Sequence, residues 1–178
     1  MRNKKVKFIT RTAIFIALLL VLQFATASMG QFVTGSMVNL VLIVSCLSAG
    51  TWTGIMVAII SPFAAKLFGI GPALIQIIPA IAAGNLVYVL SYGVMKKINF
   101  EKLKRLKWIV FIVIGAVLKY IVLSILVTSV VLPLSNIPSQ MGAKLTAMFG
   151  INQLITALIG GFIAMIIVPL VKRGFVKN

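Results

Sequence analysis

Acidic side chains are almost missing from this chain. Glu101 stands alone against 17 lysines and arginines, and there is no histidine. Without Asp or His, a Ser-His-Asp triad, a carboxylate dyad, a histidine zinc site and an intramembrane carboxylate proton relay are all excluded. Cys46 is the single cysteine, so neither an internal disulfide nor a multi-cysteine metal centre can form. No Gly-rich loop ending in Lys-Ser/Thr is present to cradle ATP phosphates. An enzyme would have to run on Lys, Tyr, Ser or Cys alone, so the chain is read as non-enzymatic and without a cofactor. If it takes part in uphill transport, the energy comes from a partner.

What is present is hydrocarbon. Of 178 residues, 61% are hydrophobic and 10% charged, with mean hydropathy +1.18. Soluble domains average roughly 45–50% apolar and about 25% charged residues, so most of this exterior must face lipid. The net charge of +16 would suit nucleic acid only if it lay on one accessible face. Instead it sits in short clusters flanking apolar runs, which points to topology and anionic headgroups. No nucleic-acid partner is expected. Met1–Lys7 followed by an apolar run imitates a signal peptide, but Phe8–Ala27 is long enough to span and is read as a retained helix.

The expected fold is all-α, a single transmembrane domain over 1–178 with six helices at about 8–27, 32–49, 51–68, 73–95, 108–132 and 146–171. The second is short, and the fourth contains Pro79, which predicts a kink. Turn-rich pieces at Ser28–Ser36 and Pro133–Leu145 separate spans, and Lys96–Lys107 is the one strongly polar connection. Basic residues precede the first span, fill the Lys96–Lys107 loop and follow the last. With six spans these lie on one side, which the positive-inside rule makes cytoplasmic, both termini included. Lys144 is the only charge in the opposite loops. Glu101, among lysines, is read as a solvated charge.

Polar residues inside the spans narrow the question further, since each is costly in lipid unless satisfied. Gln76, Asn85 and Tyr88 fall in the fourth span, Lys119, Tyr120, Ser124 and Thr128 in the fifth, and Asn152, Gln153 and Thr156 in the sixth. They serve either interhelical hydrogen bonding or a ligand. Lys66 lies near a span end and can snorkel outward. Lys119 is eleven residues past Trp108, roughly 17 Å along a helix and close to mid-membrane. With no intramembrane acid to pair with, it either faces a wet cavity or awaits an anion. In the first span, Ala13 and Ala17 place two small side chains on one face, where another helix can approach closely. Ordinary internal packing accounts for such pairs as well.

Six helices, a short second span, a basic loop between the fourth and fifth, and the Ala13/Ala17 pair together resemble the substrate-binding S components of energy-coupling factor (ECF) transporters. The resemblance covers the whole chain in architecture, with the alanine pair as its only compact motif. It implies a subunit in a bacterial plasma membrane that captures a small water-soluble, vitamin-like micronutrient from outside. Partners would be a transmembrane coupling subunit, two cytoplasmic ATPases and the surrounding lipid. It further implies docking through Ala13 and Ala17 and a lid at Ser28–Ser36 with Gln31, Thr34 and Asn39. The pocket would be lined by Gln76, Lys119, Asn152 and Gln153. Lys119 and Lys66 favour a substrate bearing a carboxylate or phosphate. A self-sufficient small transporter or channel, and a structural subunit of a membrane complex, are the competing readings.

Overall fold

A computed structural model describes residues 2–70, 72, 74–98, 104–135 and 137–176. Among these the chain is helical almost throughout, without a strand. Helix α1 runs Arg2–Thr26, α2 Gln31–Val44, α3 Thr51–Leu67, α4 Ile78–Lys97, α5 Lys104–Leu126, α6 Ser139–Phe149 and α7 Ile151–Val176. Wide π turns extend α2 through Ser45–Ala49 and α5 through Val127–Val131. Among the described residues five stretches are long and apolar enough to cross a membrane, and α3, at 17 residues, is a shorter apolar helix beside them. The chain is a multi-pass membrane protein. Glu101 lies outside the described residues.

The connections follow from local chemistry. Gly30 (φ 83°) and Gly50 (φ 121°) carry the left-handed backbone that turns α1 into α2 and α2 into α3, a conformation L side chains resist. Pro79 does not kink α4 as its place within the apolar run predicts. A short 3-10 turn, Ile75–Ile77, precedes the helix, and Pro79 occupies the first turn of α4, where its missing N–H is no loss. The piece over Pro133–Leu145 is also more ordered than its turn residues suggest. Pro138 immediately precedes α6, whose Leu145 and Phe149 are buried. The chain then breaks at Gly150, so Thr146–Phe149 belongs to α6 and not to the last span.

Packing separates inside from outside. Helix α2 lies against α7, α4 against both α3 and α5, and α5 against α7. On α5, Ile112, Ala116, Lys119, Leu123 and Val127 are buried, while Val113, Val117, Leu118, Ile121 and Ile125 are exposed. The inward residues recur at three- and four-residue steps, one helix face, and the outward ones are the lipid face. The α2–α7 contact brings backbones close: a Cβ at Gly160 would lie 2.7 Å from Asn39 Cβ and 2.8 Å from the Ser36 carbonyl oxygen. Helix α1 packs on α2 and α3 but leaves Ile14, Leu18, Val21 and Phe24 exposed.

The candidate binding cavity

Lys119 is 2% exposed, held in the bundle by the inward face of α5. A buried ammonium needs acceptors, and two asparagines supply them. Its Nζ donates to Asn39 Oδ1 of α2 at 2.6 Å and to Asn85 Oδ1 of α4 at 2.8 Å. The Tyr88 ring lies below, 5.4 Å from Nζ to the ring centroid, a cation–π distance. Tyr88 is itself fixed by its hydroxyl, which donates to the Ala157 carbonyl of α7 at 2.7 Å. Asn39 Nδ2 donates to Thr156 Oγ1 at 3.3 Å. Four helices thus meet at one polar node.

The lysine decides how both amides point. An ammonium only donates, so each asparagine must turn its oxygen toward Lys119. Asn39 then spends its nitrogen on Thr156. Asn85 keeps its nitrogen free of any protein acceptor among the described residues.

Above this node lies a cavity of about 340 Å³. One face of α2 descends its wall through Gln31, Thr34, Gly35 and Val38, with Lys119 and Asn85 at the bottom. Leu19 and Gln23 of α1 and Ser61 and Pro62 of α3 close other sides. At the α6 end, Gln31 Nε2 donates to the Met148 carbonyl at 2.6 Å, and Gln153 Nε2 reaches the same oxygen at 3.5 Å. The turn from α1 is tied down by Thr34 Oγ1 donating to the Thr26 carbonyl at 2.8 Å.

Gln31, Thr34, Lys119 and Gln153 therefore share one cavity, and Asn39 joins it through Lys119. Gln76 sits exposed on the 3-10 turn before α4, and Asn152 is half-buried; neither lines the cavity. Neither the resemblance nor a residue's depth and helix membership carries information about direction around the helix axis. Lys66 donates to the Pro72 carbonyl at 3.0 Å and does not line the cavity either. Ala13 and Ala17 lie on the exposed side of α1.

Asn85, Gln23 and Ser61 line the cavity without having been assigned to it from sequence. For Asn85 a signal existed. A mid-membrane lysine with no acid needs neutral oxygen acceptors, and Asn39 and Asn85 are amides placed well inside their spans.

A family model described as "ECF transporter, substrate-specific component" matches residues 7–172. No curated protein and no solved structure gives a significant match.

Proposed function

The chain belongs to the substrate-specific components of ECF transporters, and on that premise we propose that it captures a small, vitamin-like micronutrient from outside a bacterial cell. The observation that supports this reading most is the cavity itself. It is a partly open space within a membrane bundle, with an amide-ligated lysine at its floor and the side chains of Gln23, Gln31 and Gln153 around it. A purely structural subunit has no use for such a site, because each polar group in it is costly to bury. About 340 Å³ lies near the lower end of the roughly 300–1,000 Å³ usual for ligand pockets. That suits one small molecule. In this reading Gln31, Thr34 and Gln153 close the site, Lys119 and Asn85 contact the substrate, and Asn39 orients Lys119. The protein performs no chemistry on what it binds.

Transport energy comes from a transmembrane coupling subunit and two ATPases in this reading, and α1 is the docking surface. Ala13 and Ala17 are exposed beside Ile14 and Leu18, a shallow strip on which a partner helix can lie close. Orientation follows the basic clusters, with the Lys97 end of α4 cytoplasmic and the α6 end outside.

Native mass spectrometry of the mildly purified protein tests the capture role, with a bound small molecule as the expected result. A protein that never carries one, even from rich medium, refutes it. Ala13→Trp and Ala17→Trp should abolish uptake and co-purification of the coupling subunit while leaving the bound molecule in place. Loss of that molecule together with uptake would make the alanines part of the internal packing.

A further inference from the structure

Resting on the capture role just proposed, we infer that the substrate is a monocarboxylate whose opposite end carries an N–H or O–H donor. The floor offers donors alone. Two of the three ammonium protons of Lys119 are taken by Asn39 and Asn85, leaving one for the cavity that Lys119 lines. The same bonds force Asn85 to present its nitrogen, and Asn39 has committed its nitrogen to Thr156. Two donors beside one positive charge match the two oxygens of a carboxylate. A phosphate dianion would bring two charges against one ammonium and leave oxygens unsatisfied, which a buried site penalises.

The other end of the cavity has the reverse polarity. Gln31 turns its nitrogen to the Met148 carbonyl, so its oxygen is the group left to accept. Gln23 lines the cavity with a buried side-chain oxygen that has no hydrogen-bond partner. Much of the remaining lining is apolar, with Leu19, Val38 and Phe149, and Thr34 and Ser61 add hydroxyls. Gln31 and Asn39 are eight residues apart on α2, roughly 12 Å along a helix, which sets the length of the molecule. An acid at the bottom, a short hydrocarbon or ring body and a donor at the top match Lys119, Asn85, Gln31 and Gln23.

Thermal unfolding and equilibrium binding of the full-length protein in lipid nanodiscs test this with defined probes. Pantothenate and biotin carry a carboxylate at one end and hydroxyl or urea donors at the other. Each is compared with its methyl ester, beside pyridoxal phosphate and inorganic phosphate. At least one acid should bind about 10- to 100-fold more tightly than its ester, the usual worth of a charge-assisted hydrogen bond. Asn85→Asp keeps the side-chain shape but sets a carboxylate beside Lys119. It should remove that acid preference while the variant still folds. Lys119→Met should equalise acid and ester. The inference is overturned if no acid binds, if an ester binds as well as its acid, if a phosphate binds best, or if Asn85→Asp leaves acid binding intact. A neutral or cationic molecule found by native mass spectrometry sinks the carboxylate alone. An empty cavity under every condition sinks the capture role with it.

Discussion

The floor and the roof of the cavity are built on different principles. At the floor, Lys119, Asn39, Asn85 and Thr156 are each no more than 2% exposed, and every contact joins helices locked by close packing. At the roof, Gln31 and Gln153 share one backbone carbonyl, Met148, on an exposed part of α6 just before the Gly150 break. The floor is preorganised, because its amides are oriented before any ligand arrives. The roof is held by a few side-chain bonds that water can replace. Such weakly held elements open most easily, so under the proposed capture role the α6 end is the route of entry and exit.

Mutations sharpen the contrast, and the floor should be the expensive place to disturb. Asn39→Leu strips Lys119 of one acceptor and Thr156 of its donor. A loss of about 3 kcal/mol in stability is expected, at the upper end for a hydrogen bond to a buried charge, read from thermal or denaturant unfolding in a fixed lipid environment. Gly160→Ala should cost about 2 kcal/mol, because its methyl group meets Asn39 and the Ser36 carbonyl. Gln31→Ala, at the roof, should change stability by less than about 0.5 kcal/mol and instead speed release of the bound molecule. A Gln31 variant that unfolds as readily as the Asn39 variant would erase the distinction.

The same contrast explains what could be seen in the sequence. Membrane burial makes a polar residue conspicuous, so Lys119, Asn85 and Gln153 stand out against their apolar neighbours, whereas Thr34 and Asn39 enter only through the resemblance. That Asn39 and Asn85 hold Lys119 was not legible, since they come from α2 and α4 and nothing along the chain says which helices meet. Lys119 has no acid within the spans to pair with, and two neutral amides hold it instead. Gln76 misled because a regular helix was assumed from Ala73, and α4 begins only at Ile78. Gln23 escaped notice because a glutamine one turn from a helix end is ordinary at a membrane surface. Ala13 and Ala17 were legible as a pair of small residues on one face of α1, and that face is exposed. The position of α6 was hidden because Pro138 and Gly142 look like breakers. In fact Pro138 only precedes the helix, and Gly142 is tolerated within it at about 1 kcal/mol.

One buried atom also simplifies the experiments. Cys46 is fully buried, and its thiol donates to the Val89 carbonyl at 3.6 Å. To a water-soluble maleimide the native chain is therefore silent, and it serves as its own cysteine-free background. Lys97→Cys and Lys144→Cys, both at exposed positions, can be introduced without repacking the core around a replaced Cys46. In intact cells the Lys144 variant should label and the Lys97 variant should stay dark until the membrane is opened. The reverse pattern would turn the cavity mouth toward the cytoplasm. A thiol kept from solvent by the packing of α2, α3 and α4 thus makes the sidedness of the whole bundle a one-step measurement.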